Sequence, residues 1–394
     1  MAQAAIDSRI KPFPPELQPL EQCIGRTLRQ DVYAERDNPP FDRVCMDGIA
    51  VASATLASGV RRYRIEATQA AGAPPLRLPS ADSAIEVMTG AILPFGADCI
   101  VPLEEYDLHE GAVSLKGEVN GDAYRNVQRR GSDSQPGVPM LKAGIRLGAP
   151  EIAVVASAGL AQVQVSREPR FRVVSTGDEL VEPGQPIAEH QVRRSNAYAV
   201  VAALRGRGFT HVLDDHILDN EKMLHESLGQ HLSQHDVLIL SGGVSKGKFD
   251  LVPQVLKSLR VEEVFYQVAQ RPGMPMWFGV GPAGQAVFGL PGNPVSTLVC
   301  LIRYVVPAMT AAMGGRVSAP EPIALASEAR SRPSAAYFLP VSVRHDAAGR
   351  ALAEPRSPKG SGDFLALTAA DGFVELPPQA EPFPAGYVAG FYRW

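Results

Sequence analysis

The pattern of apolar and polar positions divides the chain into three parts, with changes near residues 170 and 315. Between these points, short apolar runs alternate with segments in which apolar residues recur at helical spacing. The runs predict strands at 171–175, 211–213, 236–240, 264–268 and 286–290, and helices at 195–206, 220–234, 250–259 and 295–313. Strands that alternate with helices indicate βαβ units, so we predict a central α/β domain with a mostly parallel, doubly wound sheet and helices on both faces.

The two flanking regions have a different pattern. Short strands separated by turns recur between residues 40 and 134 and again between 322 and 376, which predicts a small β-rich barrel or sandwich and a separate C-terminal β domain. Residues 149–164 are apolar and rich in alanine, and Pro150 and Glu151 suit the first turn of a helix. We therefore predict a helix over 149–164.

Composition narrows the class of protein. The 394 residues carry a formal net charge of -4, without the clustered basic surface that a nucleic-acid-binding protein needs. The four cysteines form no C-x-x-C pair, so neither a zinc site nor a disulfide framework is predicted. The first 20 residues have no apolar signal-peptide core, and Arg303 and Pro307 interrupt the apolar stretch 295–309. We expect a cytoplasmic protein that has no membrane span.

Three loops follow predicted strands of the central domain, where ligands of open α/β sheets bind. The first, 175–179, carries Glu179 after a glycine turn, and its alternative role is a helix-capping acid. The second, 241–250, contains Gly242 and Gly243, which allow close approach of an anion to the backbone, and ends in Asp250, which could hold Mg²⁺. The third, 290–296, is stiffened by two prolines. The second and third loops could also be only a glycine-rich connection and a rigid helix cap.

Further candidates lie outside these loops. Asp219 precedes a predicted helix, where it is either an N-cap or, with Asp250, half of a two-carboxylate cation site. Asp47, Thr89 and Arg130 lie in turns of the β-rich region, where a solvated loop is the alternative explanation of each. Arg271 begins the stiffened turn Arg271-Pro-Gly-Met-Pro275.

The order of these motifs resembles that of the molybdopterin molybdenumtransferase family over essentially the whole chain. The resemblance implies four parts: a helical and extended part at 1–34 and 135–168, an inserted β-rich domain at 35–134, a molybdopterin-binding α/β domain at 169–315 and a C-terminal β-barrel at 316–394. It also implies a homodimer whose active site is shared between subunits. The motifs that carry it are 42–50, 88–91, 126–131, 176–180, 241–250 and 291–296.

The resemblance further implies transfer of molybdenum from molybdate to adenylylated molybdopterin, with Mg²⁺ required and AMP released. Asp219 and Asp250 would hold Mg²⁺ and position the attacking species, and Asp47 and Thr89 would come from the second subunit. A molybdopterin adenylyltransferase and a molybdoenzyme are the implied partners. The residues that would bind the pterin and nucleotide are Glu179, Ser195, Asn196, Gly242, Gly243, Val244, Ser245, Lys248, Arg271, Gly292, Asn293, Ser296, Arg130 and Ser361.

One departure bears on activity. Relatives often have Lys-Pro-Gly-Lys-Pro where this chain has Arg271-Pro-Gly-Met-Pro275, so Met274 removes one positive charge. Our hypothesis is that Lys246 and Lys248 replace it, and unchanged binding and turnover in Lys248→Ala would refute it. One alternative is a weakened paralogue that binds molybdopterin, or a scaffold, since one eukaryotic member of the family acts as a scaffold. A second alternative is an enzyme of the molybdopterin adenylyltransferase type or of the competence-damage pyrophosphatase type. The two β domains argue against this second alternative.

Overall fold

The computed structural model describes residues 1–243, 251–331, 333–356, 360 and 362–394. Contacts within it define two compact units. The first comprises Met1–Gln30, Ala143–Gly148 and Gln162–Trp394, and the second comprises Asp31–Lys142 and Ala149–Ala161. The four-part division given above, with its particular boundaries, stays a prediction.

The second unit is built on a six-stranded sheet in which the strands Gly48–Val51 and Cys99–Pro102 are buried along their whole length. Ile49, Val51, Tyr63 and Val113 fill its core on one face. In spatial order its strands are Cys99–Pro102, Gly48–Val51, Ser83–Val87, Arg62–Gln69, Ala112–Leu115 and Tyr106–His109. The unit also contains the strand pairs Val32–Tyr33 with Pro139–Leu141 and Arg43–Val44 with Val127–Gln128, the helices Ser53–Ala57 and Ala149–Ser157, and the 3-10 turn Leu103–Glu105.

The helix predicted over 149–164 is too long. It ends at Ser157, and Gly159 follows in the left-handed region at φ +78°. In the first unit, Gln162–Ser166 is a strand that pairs antiparallel with Pro15–Pro19. The alternation of glutamine and valine in Gln162-Val-Gln-Val165 has the period of a strand, which the alanine-rich run before it obscured. The N-terminal stretch contributes the helix Ala2–Asp7 and the 3-10 turn Leu20–Gln22.

The centre of the first unit is a six-stranded mixed sheet. Its strands are β1 (Phe171–Thr176), β2 (Val212–Ile217), β3 (Val237–Ser241), β4 (Glu262–Tyr266), β5 (Trp277–Val280) and β6 (Ala286–Leu290). The order is β2-β1-β3-β6-β5-β4, in which the first four are parallel and the last two antiparallel to their neighbours. The strand β5 was absent from our prediction, whereas the mostly parallel sheet is confirmed.

Helices cover both faces of this sheet. They are α1 (Ser195–Arg205), α2 (Glu221–Gln234), α3 (Val252–Ser258) and α4 (Pro294–Ala312), and α4 contains a π-helical segment at Leu301–Val305. On one face, α1 and α4 pack on Val173, Ile239 and Phe288. On the other face, α2 and α3 pack on strand residues of the opposite parity, such as Val174 and Leu240.

The helix α4 is buried between the sheet and the C-terminal domain. By length and composition it is the one helix in the described ranges that could cross a membrane, with a mean hydropathy of 1.6, but 67% of that window is buried in the fold. Leu301 and Val305 face the sheet, whereas Val299 and Ile302 pack against Phe338 of the next domain. A core helix has this pattern of burial.

The C-terminal domain is a closed five-stranded barrel, as predicted. Its strands are β7 (Glu321–Leu325), β8 (Ala336–His345), β9 (Ala351–Pro355), β10 (Gly372–Leu376) and β11 (Val388–Arg393), with the short helix α5 (Phe364–Thr368). They close in the order β8-β9-β7-β11-β10, since β10 pairs again with β8. The short strand Gln270–Arg271 pairs with the start of β8 and joins the barrel to the central domain.

Candidate functional site

Three parallel strands end side by side at one edge of the central sheet. In the register of the sheet, Ser175 of β1 lies beside Ser241 of β3, which lies beside Leu290 of β6. The helix after β1 packs on one face and the helices beside β3 pack on the other, so the chain changes direction between β1 and β3. Such a switch point leaves a crevice at the carboxyl ends of the strands, where α/β proteins bind ligands.

The paired glycines after β3 are required by the closeness of the β1 loop. A Cβ on Gly242 would lie 2.7 Å from the carbonyl oxygen of Thr176, and one on Gly243 would lie 2.5 Å from the Thr176 hydroxyl oxygen. Both glycines also have positive φ, at +96° and +63°. The glycines therefore let the loop after β3 pack closely against the loop after β1, and Gly242 lies in the wall of the cavity at this edge.

Asn196 connects the second and third loops. It lies in the first turn of α1, and its Nδ2 donates to the Ser241 hydroxyl at 3.0 Å and to the Gly292 carbonyl oxygen at 2.7 Å. One side chain thus fixes the ends of β3 and β6 relative to the start of α1.

A cavity of about 460 Å³ lies at this edge and contains polar atoms that have no partner. Among the described residues, the hydroxyls of Ser175 and Thr176 and the Oδ1 of Asn196 are buried and form no hydrogen bond. Leaving a buried polar atom unpaired costs about 1–3 kcal/mol. Three such atoms in the walls of one cavity make this edge of the sheet a candidate site for a polar ligand. The cavity is lined by Ser175, Thr176, Glu179, Leu180, Val192, Arg193, Arg194, Ser195, Asn196, Ser241, Gly242, Gly292, Asn293, Pro294, Gly362 and Phe364.

Arg194 is a site residue that sequence reasoning missed. It lies in the cavity wall just before α1, is 5% exposed, and forms ion pairs of 2.6 Å with Glu182 and with Asp214. Its only sequence signal is a basic pair, Arg193 and Arg194, directly before a helix. Glu182 lies in the segment after β1 and Asp214 lies in β2, so Arg194 joins two segments that are distant in sequence.

A second cavity of about 420 Å³ adjoins the first and shares Asn293 with it. Its walls come from the turn 271–275, the third loop and the barrel. Arg271 supplies a positive charge, Ser296 lies at the start of α4, and Met274 is 44% exposed. No carboxylate in the described part of the chain forms an ion pair with Arg271.

The turn that carries Arg271 and Met274 rests on a buried polar network. Gln270 is 1% exposed, and its Nε2 donates to the Pro272 carbonyl oxygen at 3.1 Å, while its Oε1 accepts from the Tyr304 hydroxyl. Burial raises the pKa of the neighbouring Cys300 thiol to about 12, which keeps it protonated. Tyr304 and Cys300 are contributed by α4 at the π-helical segment, and such segments often occur at functional sites.

The predicted pairing of Asp219 with Asp250 stays a prediction, because Asp250 lies outside the described residues. Asp219 lies beside Asp178, whose Oδ1 accepts from the Asp219 amide at 3.0 Å. The N-cap of α2 is Asn220, whose side chain accepts from the amide of Met223, so the N-cap alternative for Asp219 is wrong. Within the described ranges, no three His, Cys, Asp or Glu side chains come together as a metal site.

The predicted residues of the second unit have partners within that unit. Asp47 accepts hydrogen bonds from the amide of Thr89 at 2.6 Å and from its hydroxyl at 2.7 Å, and these bonds lower the pKa of Asp47. The guanidinium of Arg130 forms an ion pair of 2.6 Å with Asp37. Asp47 and Thr89 therefore form one rigid polar pair on the surface of this unit.

The remaining predicted residues divide into two groups. Glu179, Ser195, Gly292 and Asn293 line the first cavity, and Arg271 and Ser296 line the second. Val244, Ser245, Lys246, Lys248, Asp250 and Ser361 lie outside the described residues, so their predicted roles stay predictions.

Comparison with known proteins covers nearly the whole chain. Three family profiles match in sequence: the MoeA N-terminal region (domain I and II) at residues 1–159, a probable molybdopterin binding domain at 172–311 and the MoeA C-terminal region (domain IV) at 322–394. A molybdopterin molybdenumtransferase of Synechocystis sp. is 39% identical over 376 residues, covering 95% of this chain and 94% of the relative.

More distant relatives match the chain over a similar length. A molybdopterin molybdenumtransferase of Staphylococcus epidermidis is 30% identical over 375 residues, covering 94% of this chain and 88% of the relative. The crystal structure of a molybdopterin biosynthesis protein from Pyrococcus horikosii is 30% identical, with a TM-score of 0.78 over 100% of this chain and 97% of that one.

Proposed function

Because this chain belongs to the molybdopterin molybdenumtransferase (MoeA) family, we propose that it transfers molybdenum from molybdate to adenylylated molybdopterin and releases AMP. It is a transferase of molybdenum cofactor biosynthesis, and molybdopterin and molybdate are the substrates that fit the family.

The observation that carries the proposal is the set of unpaired buried atoms in the first cavity. Ser175 and Thr176 each offer a hydroxyl donor, and Asn196 offers an amide acceptor. A substrate with phosphate oxygens and a pterin ring supplies both acceptors and donors. The volume of about 460 Å³ is in the range of cavities that bind small molecules, about 300–1,000 Å³.

We assign the phosphate end of the substrate to the loop after β3. Gly242 of this loop lies in the cavity wall, and the first turn of α4 behind Asn293 favours negative charge. We assign the molybdate to the second cavity, where Arg271 and Ser296 offer donors to an oxyanion.

Mg²⁺ remains part of the proposal. Asp219 and Asp250 are its proposed ligands, and carboxylate oxygens are the donors that Mg²⁺ prefers. Asp250 is outside the described residues, and Asp178 is the carboxylate that lies beside Asp219. When bound, the ion would neutralise charge on phosphate oxygens.

We also propose a cytoplasmic homodimer in which Asp47 and Thr89 complete the site of the other subunit. The support is that this hydrogen-bonded pair belongs to a unit separate from the one that holds both cavities. A molybdopterin adenylyltransferase that supplies the substrate and a molybdoenzyme that receives the product are the proposed partners.

The test is AMP release from adenylylated molybdopterin, with and without molybdate and Mg²⁺, in the native protein and in Thr176→Val. The substitution keeps the shape of the side chain and removes the unpaired hydroxyl. A lost hydrogen bond to a charged group is worth about 1.5–3 kcal/mol, so we expect molybdate-dependent release to fall roughly 10- to 150-fold. Thr68→Val, which removes an exposed hydroxyl bonded to Glu86, is the matched control and should match the native protein.

The outcomes separate the alternatives. Tight molybdopterin binding without AMP release would favour a scaffold, and adenylylation of molybdopterin from ATP would favour an adenylyltransferase. The shared site is tested by mixing Thr176→Val with Asp47→Ala, because mixed dimers would restore one intact site. Reduced release in each variant with no recovery on mixing would refute the shared site and leave the transferase function standing.

A further inference from the structure

A third cavity, of about 500 Å³, lies at the opposite edge of the central sheet from the proposed active site. Glu168 and Phe209 in its wall precede β1 and β2 respectively, so it lies at the amino ends of these strands. It also receives residues from the end of α4 and from the N-terminal segment. We call it the arginine pocket, because Arg26, Arg146, Arg207 and Arg316 line it.

Among the described residues, one of the four arginines forms an ion pair with an acid. Arg26 forms an ion pair of 2.5 Å with Glu16. In the part of the chain that the structure describes, the side chains of Arg146 and Arg207 donate only to carbonyl oxygens, and Arg146 donates to those of Gly25 at 3.1 Å and of Arg207 at 2.8 Å. In the described part of the chain, no carboxylate lies within ion-pair distance of Arg146, Arg207 or Arg316.

The carboxylate in the pocket wall is already occupied. Glu168 is 8% exposed and accepts from the Thr210 hydroxyl at 2.9 Å and from the His211 amide at 3.1 Å. Its oxygens face these donors rather than the guanidinium groups. Among the described residues, Arg146, Arg207 and Arg316 therefore share one pocket without an ion-pair partner, although the carboxylate of Glu168 lies in its wall.

This arrangement is electrostatically unfavourable as it stands. Burial and the nearby charge of Arg146 lower the pKa of Arg207, whereas most arginines in this protein that show a shift have a raised pKa because of an acid partner. The backbone makes room for Arg146 at two left-handed glycines. A Cβ on Gly208 would lie 2.5 Å from Arg146 Nη2, and one on Gly25 would lie 3.4 Å from it.

Part of the arginine cluster is explained by hydrogen bonds from its side chains to backbone carbonyl groups. Arg207 donates at 3.0 Å to the Ala203 carbonyl oxygen near the end of α1, where a positive charge favours the helix dipole. This role does not explain Arg316, which is exposed and has no side-chain partner among the described residues, nor the cavity itself. Each guanidinium has five donor hydrogens, so several remain for a ligand.

We propose that the arginine pocket binds a phosphate group, either as inorganic phosphate or as a small phosphate monoester. Arginine pairs geometrically with phosphate through two parallel hydrogen bonds, and a dianion would offset the repulsion between Arg146, Arg207 and Arg316. This site is separate from the proposed active site and does not depend on the proposed function.

The experiment is calorimetric titration of the full chain with inorganic phosphate and, separately, with glycerol 3-phosphate, at an ionic strength matched with chloride. The variants are Arg316→Ala, whose exposed side chain is not needed for folding, and Arg146→Gln. We expect saturable binding at the pocket, weakened at least 10-fold in both variants, since one charged hydrogen bond is worth about 1.5–3 kcal/mol. Arg62→Ala removes another exposed arginine without a side-chain partner in the described residues, and should bind as the native protein does.

Two results would overturn the proposal. One is the absence of saturable binding of either probe to the native protein. The other is binding that survives Arg316→Ala and disappears in Thr176→Val, which would place the phosphate in the proposed active site. Tighter binding of glycerol 3-phosphate than of inorganic phosphate would identify a monoester as the ligand, and the reverse order would identify free phosphate.

Discussion

Removing the hydroxyl of Tyr304 should destabilise the first unit, because it leaves a buried acceptor without a donor. Tyr304 is 5% exposed, and its hydroxyl donates to Oε1 of Gln270, which is 1% exposed. The Tyr304→Phe variant keeps the ring and its packing. The cost of an unsatisfied buried acceptor is about 1–3 kcal/mol, so we expect the free energy of unfolding to fall by about that amount.

The assay is urea unfolding followed by tryptophan fluorescence. The two tryptophans, Trp277 in β5 and Trp394 beside Phe373 of the barrel, both belong to the first unit and report on it alone. Tyr387→Phe is the control in the same unit. The described residues offer no hydrogen-bond partner to the Tyr387 hydroxyl, so its removal should change the free energy of unfolding by less than about 0.5 kcal/mol.

A double variant tests the mechanism itself. In a Gln270→Leu background the acceptor is already gone, so Tyr304→Phe should cost much less than it does in the native chain. Replacing both partners by apolar groups leaves no orphaned atom, and the difference between the two costs measures the interaction. An equal cost in both backgrounds, or no cost in either, would refute the argument that the pair is a hydrogen-bonded unit.

Two further variants test other features of the first unit. Burial raises the pKa of Asp236, but hydrogen bonds from Arg167 and Arg170 outweigh it and lower the pKa to about 2. The stabilising effect of the ionised Asp236 is therefore complete above the unfolded pKa near 4 and is lost as the pH falls towards 2. Over this pH range, the free energy of unfolding of the native protein should fall by about 2 kcal/mol more than that of Asp236→Asn. Parallel pH profiles of the two proteins would contradict this expectation. Gly273→Ala places a Cβ 2.7 Å from both Cys300 Sγ and Gln270 Nε2 at φ +96°, whereas Gly386→Ala at φ +85° has nothing within 4 Å. Chemical denaturation should give a cost for Gly273→Ala that is larger by about 1–3 kcal/mol, and equal costs would count against steric crowding under this turn.

The sequence predicted the parallel core and its loops because both leave local signals. The strands that became β1, β3 and β6 are continuous apolar runs, as strands buried on both faces are, and each is followed by a glycine-rich or proline-rich loop. The βαβ pattern alone predicts that these strands are parallel and that their loops therefore lie at the same edge of the sheet. The strand β5 gave no comparable signal, since a four-residue apolar run that pairs antiparallel resembles any short core segment.

The chemistry of the cavity could be predicted only in part. Gly242 and Gly243 were recognisable as a close-approach loop. The unpaired hydroxyls of Ser175 and Thr176 were not, because whether a buried donor has a partner depends on every neighbour in the fold. The burial of Arg194 and the network below the turn at Arg271 depend likewise on residues distant in sequence, as Tyr304 and Gln270 are 34 positions apart.

The position of Met274 changes how the missing positive charge should be weighed. In a dry pocket, the loss of a cation beside molybdate and a pyrophosphate would cost several kcal/mol. Met274, however, is 44% exposed at the wall of the second cavity, so water reaches this part of the site. The repulsion between two unit charges 4 Å apart falls from about 4 kcal/mol at an effective dielectric constant of 20 to about 1 kcal/mol in water. Arg271 lines the same cavity without an acid partner in the described residues, and its charge is fully available to an oxyanion. Where water reaches the site, the protein itself must therefore supply less positive charge beside molybdate than a closed pocket would require, and Arg271 supplies one such charge.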